Sequence, residues 1–163
     1  MILIAAADKK WGIGKDNELL THIPADQRFF RETTTGNVVV MGRKTFESLP
    51  GGNPLKNRTN IVLTKNPAFK KEGVTVFHSV EELLEEIKKY PADSVFCIGG
   101  AAVYKELLPY WDKALITRID EAFEADAYLP DLDAMDEWKI TKTSEEQTYF
   151  DLVYHFVTYE RRT

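Results

Sequence analysis

The sequence predicts an α/β protein built on a largely parallel β-sheet, with an antiparallel hairpin at its C-terminal end. Short apolar runs recur along the chain, and helical patterns fall between them. This alternation is typical of a parallel sheet covered by helices on both faces. The last two strand-like segments, 138–142 and 149–159, are joined by a polar connection too short for a crossover helix. They are therefore expected to form an antiparallel hairpin, which makes the sheet mixed.

The strands of the parallel part are predicted from apolar segments of four to six residues. Continuous apolar runs indicate strands that are buried on both faces, since a half-exposed strand alternates apolar and polar residues. The predicted strands are residues 2–7, 37–41, 60–63, 74–77, 94–98 and 114–119.

The helices are predicted from their first residues and their apolar faces. Proline suits the first turn of a helix, where its missing N–H is not needed, and a helical pattern begins beside Pro24. Ser79 is expected to cap another helix, with Glu82 completing a capping box. A further short helix is expected over residues 101–108, ending before a proline.

The composition bounds the function. A chain of 163 residues with ordinary globular composition predicts one domain over residues 1–163. The net charge of −5 argues against broad nucleic-acid binding, so an anionic ligand requires a local basic cluster. The N-terminus lacks a signal-peptide pattern, and no apolar run is long enough to span a membrane. The single Cys97 excludes an intramolecular disulfide, fits a reducing cytoplasm and reads as a buried hydrophobe.

Asp26 is the acidic candidate for chemistry. It lies three and four positions before Phe29 and Phe30, so it shares their helix face. A carboxylate on an apolar face must be paired or have a raised pKa, and a groove beside it is suited to a hydrogen-bond-donating ring. The simpler interpretation, which spacing alone favours, is that Asp26 complements the dipole at the helix N-terminus.

Two strand-to-helix turns are candidates for binding phosphate. Gly42 ends a strand, and Arg43, Lys44 and Thr45 open the next helix, where backbone N–H groups and cations favour an anion. A plain glycine turn with solvated basic residues explains the same pattern equally well. At 99–100 a glycine pair ends another buried strand and lets a ligand approach the backbone, although tight strand–helix packing also demands small residues.

Other chemistries are not indicated. The sequence contains no Walker A motif, and neither Gly12–Gly14 nor Gly99–Gly100 completes a G-x-G-x-x-G fingerprint. The three histidines are scattered without ligand spacing, so no metal site is expected, and no serine lies in a nucleophile elbow. The residues alone predict a nucleotide-binding α/β domain with an acid near the carboxyl ends of its strands.

Read in order, these segments resemble dihydrofolate reductases over nearly the whole chain. The matching pieces are IAAA, WGIGKDN, IPAD followed by FF, VVVMGRKTFESL, PLKNRTNIVLT, VFCIGGAAVY, LITRID and DAYLPD. Each is weakly specific alone, but their ordered combination is strongly specific and reverses the preference for the simpler interpretation of Asp26. The resemblance implies an eight-stranded mixed sheet flanked by four helices. It also implies NADPH-dependent reduction of 7,8-dihydrofolate to tetrahydrofolate by a cytoplasmic monomer.

The resemblance assigns residues to the substrate. Asp26 matches the family's active-site carboxylate, which hydrogen-bonds the pterin and supports protonation at N5. Thr117 would orient Asp26, and Arg58 matches the arginine that binds the glutamate α-carboxylate, a bidentate task suited to arginine. The other implied substrate residues are apolar: Ile4, Ala6, Leu19, Phe30, Leu49 and Leu55.

The resemblance also assigns residues to NADPH. The segment from Gly12 to Leu20 would be a mobile loop that closes over the nicotinamide. Arg43, Thr64 and Lys65 are expected to converge on the adenosine 2′-phosphate. The remaining implied cofactor residues are Ala6, Ile13, Gly14, Gly42, Lys44, Thr45, Leu63, Ile98, Gly99, Gly100, Ala101, Val103 and Tyr104.

Departures from the family pattern leave alternatives open. Thr21 replaces a tryptophan that usually orders a water near the substrate, and Ala102 replaces an arginine that binds pyrophosphate in some members. A related pyrimidine reductase shares the fold and NADPH, but its substrate offers neither an aminopterin edge for Asp26 nor a glutamate tail for Arg58. A non-catalytic nucleotide-binding or regulatory domain is the third interpretation, and retention of Asp26 together with the basic turns disfavours it.

Overall fold

The computed structural model describes residues 1–162, and within them the predicted mixed α/β class is confirmed. The four α-helices are α1 (Pro24–Thr34), α2 (Arg43–Glu47), α3 (Val80–Ile87) and α4 (Ala101–Leu107). The strands are β1 (Ile2–Ala7), β2 (Gly12–Lys15), β3 (Glu18–Leu19), β4 (Val38–Gly42), β5 (Thr59–Leu63), β6 (Val74–Phe77), β7 (Val95–Gly99), β8 (Lys113–Ile119), β9 (Ala127–Tyr128), β10 (Trp138–Thr143), β11 (Gln147–Tyr149) and β12 (Leu152–Arg161).

The main sheet has the strand order β10-β12-β8-β1-β7-β4-β5-β6, which confirms the predicted eight strands. The ladders from β8 to β6 are all parallel, whereas β12 runs antiparallel to both β8 and β10. The predicted C-terminal hairpin is therefore present. A short ninth strand, β11, folds back on the start of β12 within the connection.

Helix starts follow the residues that predicted them. Pro24 occupies the first turn of α1. Ser79 Oγ accepts a hydrogen bond from the Glu82 backbone N–H at 3.2 Å and donates to Glu82 Oε1 at 3.1 Å. Helix α4 ends at Leu107, one residue earlier than predicted, because residues 108–110 tighten into a 3-10 turn at the following proline.

A split in the sheet creates room for a ligand. Strands β1 and β7 pair only at Ile2–Phe96 and Leu3–Cys97, whereas β1 pairs with β8 along its whole length. Beyond Leu3 the two strands are no longer hydrogen-bonded partners. The Tyr104 hydroxyl donates to the Ile4 carbonyl at 3.0 Å at this point. The opening lies at the carboxyl ends of the parallel strands, where open α/β sheets bind ligands.

A small second sheet, in the order β3-β2-β9, was not predicted. The segment from Gly12 to Leu20, which the resemblance implies to be a mobile loop, contains a β-hairpin over residues 12–19. Its turn residues Asp16 and Asn17 have φ values of 52° and 63°. Two consecutive left-handed residues are the pattern of a type I′ turn, which suits the twist of a two-residue hairpin.

The core lies on both faces of the main sheet. Alternate strand residues such as Leu3, Val40 and Cys97 belong to a cluster that α3 and α4 cover. Their neighbours Val39 and Met41 belong to a second cluster, which also includes Phe46 of α2. Among residues 1–162, no helix is both long and apolar enough to cross a membrane.

Candidate active site

Asp26 lies in the first turn of α1 and faces β8. Thr117 Oγ1 donates a hydrogen bond to Asp26 Oδ1 at 2.5 Å. Burial raises the pKa of Asp26 above its ordinary value, and the hydrogen bond from Thr117 lowers that pKa only in part. The net upward direction arises because desolvation disfavours the charged form. The arrangement therefore favours a carboxyl group that can hold a proton closer to neutral pH than a solvated aspartate does.

The apolar residues predicted to contact substrate fall into neighbouring clusters. Phe30 packs against a cluster that contains Ile4, and Leu49 and Leu55 pack against the cluster around Met41. Ile98 borders both clusters and so connects them.

Two further predicted substrate residues lie outside those clusters. Ala6 packs on a separate cluster with Ile119 and Tyr154. Leu19 belongs to β3, and 59% of its surface is exposed. Four of the six predicted apolar substrate residues thus pack on two clusters that share Ile98, whereas Leu19 lies on the hairpin.

Arg58 is held by two hydrogen bonds. Its Nη1 donates to Thr34 Oγ1 and its Nε donates to the Lys56 carbonyl, both at 3.0 Å. The guanidinium carbon lies 6.0 Å from the centroid of the Phe30 ring. A guanidinium has five N–H donors, so the two bonds leave three that can fork around a carboxylate. Burial lowers the pKa of Arg58, and the nearby charge of Arg31 lowers it further, but arginine stays protonated in proteins.

The two glycine turns predicted to bind phosphate lie against each other. A Cβ placed on Gly100 would come within 3.2 Å of Thr45 Oγ1, and one on Gly42 within 3.0 Å of Val103 Cγ2. Gly99 has a φ of 128°, which side chains rarely adopt. Close packing therefore explains part of the glycine requirement, and the two helix starts meet where backbone N–H groups could bind phosphate.

A cavity of about 330 Å³ opens beside these turns. Four of the predicted cofactor residues line it: Leu63, Thr64, Lys65 and Val103. The remaining lining residues are His78, Ser79, Val80, Glu81, Ala102 and Glu106. With a lysine at one wall and carboxylates at another, the cavity is suited to a ligand that presents an anion to one side.

Arg43 does not join Thr64 and Lys65 in lining this cavity. Its Nη1 forms an ion pair with Glu47 Oε1 at 2.6 Å, four residues along α2. The i,i+4 spacing within a helix brings these two side chains together. In this position the Arg43 guanidinium contacts Glu47 and does not converge with Thr64 and Lys65.

The remaining predicted cofactor residues lie on or next to β1, β2, β4, β7, α2 and α4. Tyr104 bridges the split through its hydroxyl, and burial raises the pKa of Tyr104 well above its ordinary value. Ala101 begins α4, and Ile13 and Gly14 belong to β2 of the hairpin. The hairpin reaches α2, because Asn17 Nδ2 donates to the Lys44 carbonyl at 3.3 Å.

Comparison with known proteins identifies the family. The dihydrofolate reductase family model matches residues 1–161. The chain belongs to the dihydrofolate reductase family. The dihydrofolate reductase of Bacillus subtilis (strain 168) is 40% identical over 163 residues, covering 98% of this chain and 93% of the relative. That of Haemophilus influenzae (strain ATCC 51907 / DSM 11121 / KW20 / Rd) is 39% identical over 160 residues, covering 96% of each.

A solved structure supports the same assignment. Dihydrofolate reductase from Enterococcus faecalis, complexed with NADP(H) and RAB-propyl, matches with a TM-score of 0.88 and 41% sequence identity. The match covers 99% of this chain and 96% of the other. The family resemblance and the fold predicted from the sequence are thereby confirmed.

Some residues beside the site were not predicted from the sequence. His78 and Ser79 line the cavity because they follow β6, whose carboxyl end lies beside that of β5. The rule that ligands bind at the carboxyl ends of parallel strands would have found them. Thr34, fully buried beneath Arg58, left no comparable signal in the sequence.

Proposed function

We infer that this protein reduces 7,8-dihydrofolate to 5,6,7,8-tetrahydrofolate with NADPH as the reductant. The observation that carries the inference is Asp26, a partly buried carboxyl group with a raised pKa and one hydrogen bond from Thr117. Membership of the dihydrofolate reductase family supports the substrate and the cofactor.

We propose that Asp26 binds the pterin and assists its protonation. Its carboxyl group would hydrogen-bond the 2-amino group and ring N3, and would support delivery of a proton to N5. Thr117 would keep the carboxyl group in place through its 2.5 Å hydrogen bond. Ile4, Ala6, Leu19, Phe30, Leu49 and Leu55 are the apolar residues that we propose contact the substrate. Arg58 would bind the glutamate α-carboxylate with the N–H donors that Thr34 and Lys56 leave open.

The residues at the carboxyl ends of β4, β5 and β7 fit NADPH. A Cβ on Gly100 would occupy the space against Thr45, and the cavity beside Thr64 and Lys65 offers room and a cation for phosphate. When bound, NADPH supplies the hydride that reduces C6 of the pterin. We propose that Ala6, Ile13, Gly14, Gly42, Arg43, Lys44, Thr45, Leu63, Thr64, Lys65, Ile98, Gly99, Gly100, Ala101, Val103 and Tyr104 hold the cofactor.

We further propose that the enzyme acts as a cytoplasmic monomer formed by one domain over residues 1–163. The single, buried cysteine supports a reducing cytoplasm, and the net charge of −5 argues against nucleic acid as a partner. We propose neither a nucleic acid nor a membrane as its partner. Sedimentation equilibrium of the purified chain tests the monomer, and a mass near twice 18.7 kDa would contradict it.

The direct test is the loss of NADPH absorbance when dihydrofolate is added to the purified protein. Turnover that requires both dihydrofolate and NADPH is the expected result. A ribosylated deaminated pyrimidine serves as the control substrate, because it presents neither an aminopterin edge nor a glutamate tail. Absence of turnover with dihydrofolate, or faster turnover with the pyrimidine, would overturn the proposed function.

A further inference from the structure

Asn60 is a buried amide whose hydrogen bonds all go to one loop. Its side chain lies on β5 and is 3% exposed. Oδ1 accepts from the Leu55 backbone N–H at 2.9 Å, and Nδ2 donates to the carbonyls of Leu55 and Arg58 at 3.0 Å and 3.1 Å. Both N–H donors of the amide are therefore used, and so is one lone pair of its oxygen. The loop of residues 55–58 is tied at both ends to a single side chain.

The two ends of this loop are residues that the proposed function assigns to substrate. Leu55 packs on the cluster around Met41, and Arg58 faces Phe30. Between them Asn57 has a φ of 61°, in the left-handed region that asparagine adopts more readily than most residues. The backbone groups of the loop need hydrogen-bond partners, and Asn60 supplies three, while the Gly36 backbone N–H donates to the Asn57 carbonyl at 2.7 Å.

A second buried side chain holds Arg58 from the opposite direction. Thr34 Oγ1 donates to the Phe30 carbonyl at 2.8 Å, which turns its lone pairs toward the Arg58 guanidinium. Thr34 thus contacts the guanidinium itself, whereas Asn60 acts on the backbone that carries it. The direction of the Arg58 donors depends on both contacts.

We propose that Asn60 is a positioning residue for substrate binding, which fixes the 55–58 loop so that Arg58 meets the substrate's terminal carboxylate. The proposal rests on the proposed function. Asparagine is required because the loop offers one N–H and two carbonyl groups to this side chain. An aspartate has no donor for the two carbonyl groups, and an alanine leaves all three loop groups without this partner.

The test compares KM and kcat for two substrates in Asn60→Ala. With dihydrofolate we expect KM to rise roughly tenfold with little change in kcat, because binding is lost equally in the ground and transition states. With a 7,8-dihydropterin that lacks the aminobenzoylglutamate tail, KM should match that of the parent. Ser94→Ala is the control, since its hydroxyl donates to the Pro91 carbonyl before the amino end of β7, away from the loop, and it should leave both KM values unchanged.

A double-mutant cycle gives a second readout. In an Arg58→Ala background, Asn60→Ala should add little to KM, because the contact that Asn60 positions is already gone. Equal losses with both substrates, or additive effects in the cycle, would overturn the proposal. If Asn60→Ala does not fold, Asn60→Ser keeps a small polar group for the same measurements. If neither variant folds, Asn60 is required for folding, and the proposal that it only positions the loop is refuted.

These outcomes are separate from failure of the proposed function. A parent protein that does not oxidise NADPH with dihydrofolate contradicts the proposed function itself. A parent that turns over dihydrofolate, with a folded Asn60→Ala variant showing no substrate-dependent KM change, contradicts the Asn60 proposal only.

Discussion

Replacing Asp26 with asparagine removes a titrating group while keeping its shape. The asparagine Oδ1 can still accept the hydrogen bond that Thr117 donates at 2.5 Å in the parent. What the variant loses is the negative charge and the proton. A positioned general acid typically contributes about 10²–10⁴-fold to a rate. We therefore expect hydride transfer at neutral pH to slow by that factor, which corresponds to about 3–5 kcal/mol in the barrier.

The pH dependence follows from the direction of the pKa shift. Burial raises the pKa of Asp26, and a group with a raised pKa is protonated below that pKa and loses its proton above it. The hydride step of the parent should therefore fall as pH rises. In Asp26→Asn the step should recover toward acid pH, because solvent increasingly protonates the substrate there.

The assay is single-turnover hydride transfer measured against pH, with circular dichroism to establish folding. Asp93→Asn is the matched control, because this exposed carboxylate precedes the amino end of β7, the edge opposite the site. It should behave as the parent does. A folded Asp26→Asn protein that equals the parent at neutral pH would remove Asp26 from the mechanism.

The same substitution has a consequence for stability. Because the folded pKa of Asp26 is raised, the native state binds more protons than the unfolded state between the two pKa values. The contribution of Asp26 to the free energy of unfolding therefore falls as pH rises through that window. Relative to the parent, Asp26→Asn should gain stability from acid to neutral pH in denaturant titrations. A constant difference would contradict the burial argument.

Three further predictions concern the neighbouring contacts. Thr117→Val removes the hydrogen bond that lowers the pKa of Asp26. The pH at which the rate of hydride transfer begins to fall should therefore be higher in this variant than in the parent, and a lower pH would contradict this. Arg58→Lys should weaken dihydrofolate binding by roughly ten- to hundredfold, the cost of a charge-assisted hydrogen bond, and should leave the truncated dihydropterin unaffected. Arg43→Ala should lower the ratio of kcat/KM with NADPH to kcat/KM with NADH. Glu47→Gln should raise that ratio, because it removes the charge that pairs with Arg43. If neither variant changes the ratio, the assignment of Arg43 to the phosphate is wrong.

The prediction for Arg43 depends on whether its ion pair with Glu47 is weaker than a hydrogen bond to the phosphate. The Arg43–Glu47 pair is an i,i+4 contact on a helix surface, where such pairs contribute about 0.3–0.5 kcal/mol. A charge-assisted hydrogen bond to a phosphate contributes about 1.5–3 kcal/mol. The phosphate should therefore draw Arg43 away from Glu47 when NADPH binds. The i,i+4 spacing of the two residues is visible in the sequence, but their contact in the folded protein is not.

The parallel sheet could be predicted because its signal is local. Continuous apolar runs such as Ile2–Ala7 indicate strands that are buried on both faces of the sheet. The short polar connection before β12 indicates an antiparallel hairpin. The small second sheet has no such signal. Its strand β2 pairs with Tyr128, far along the chain, and β9 has only two residues. The pairing of β2 with β9 depends on the finished fold. The hairpin at 12–19 is local, but its strand β3 has only two residues, Glu18 and Leu19, which is too short for a strand pattern in the sequence.

The burial of some polar residues could not be predicted from the sequence, because it also depends on the finished fold. Asp8 lies in a lysine-rich turn that reads as solvated, yet it is 1% exposed. Its carboxylate accepts backbone hydrogen bonds from Lys10 and Gly12 at 2.8 Å, and from Phe123 at 2.9 Å. The partner at Phe123 is brought in by tertiary structure alone. Composition and spacing indicate which residues are polar, but not which of them are buried.

Buried polar side chains explain how partly exposed functional residues keep their positions. In residues 1–162, the side chains of Asp8, Thr34, Asn60 and Thr117 are polar and buried. Replacing a buried hydrogen-bonded pair by apolar groups of the same shape is often nearly neutral for stability, so stability alone does not require polarity at these sites. An apolar side chain cannot make the directional hydrogen bond that orients a neighbouring functional group. Thr117 directs Asp26, and Thr34 directs Arg58. Isosteric apolar substitutions there should impair binding or hydride transfer well before they unfold the protein.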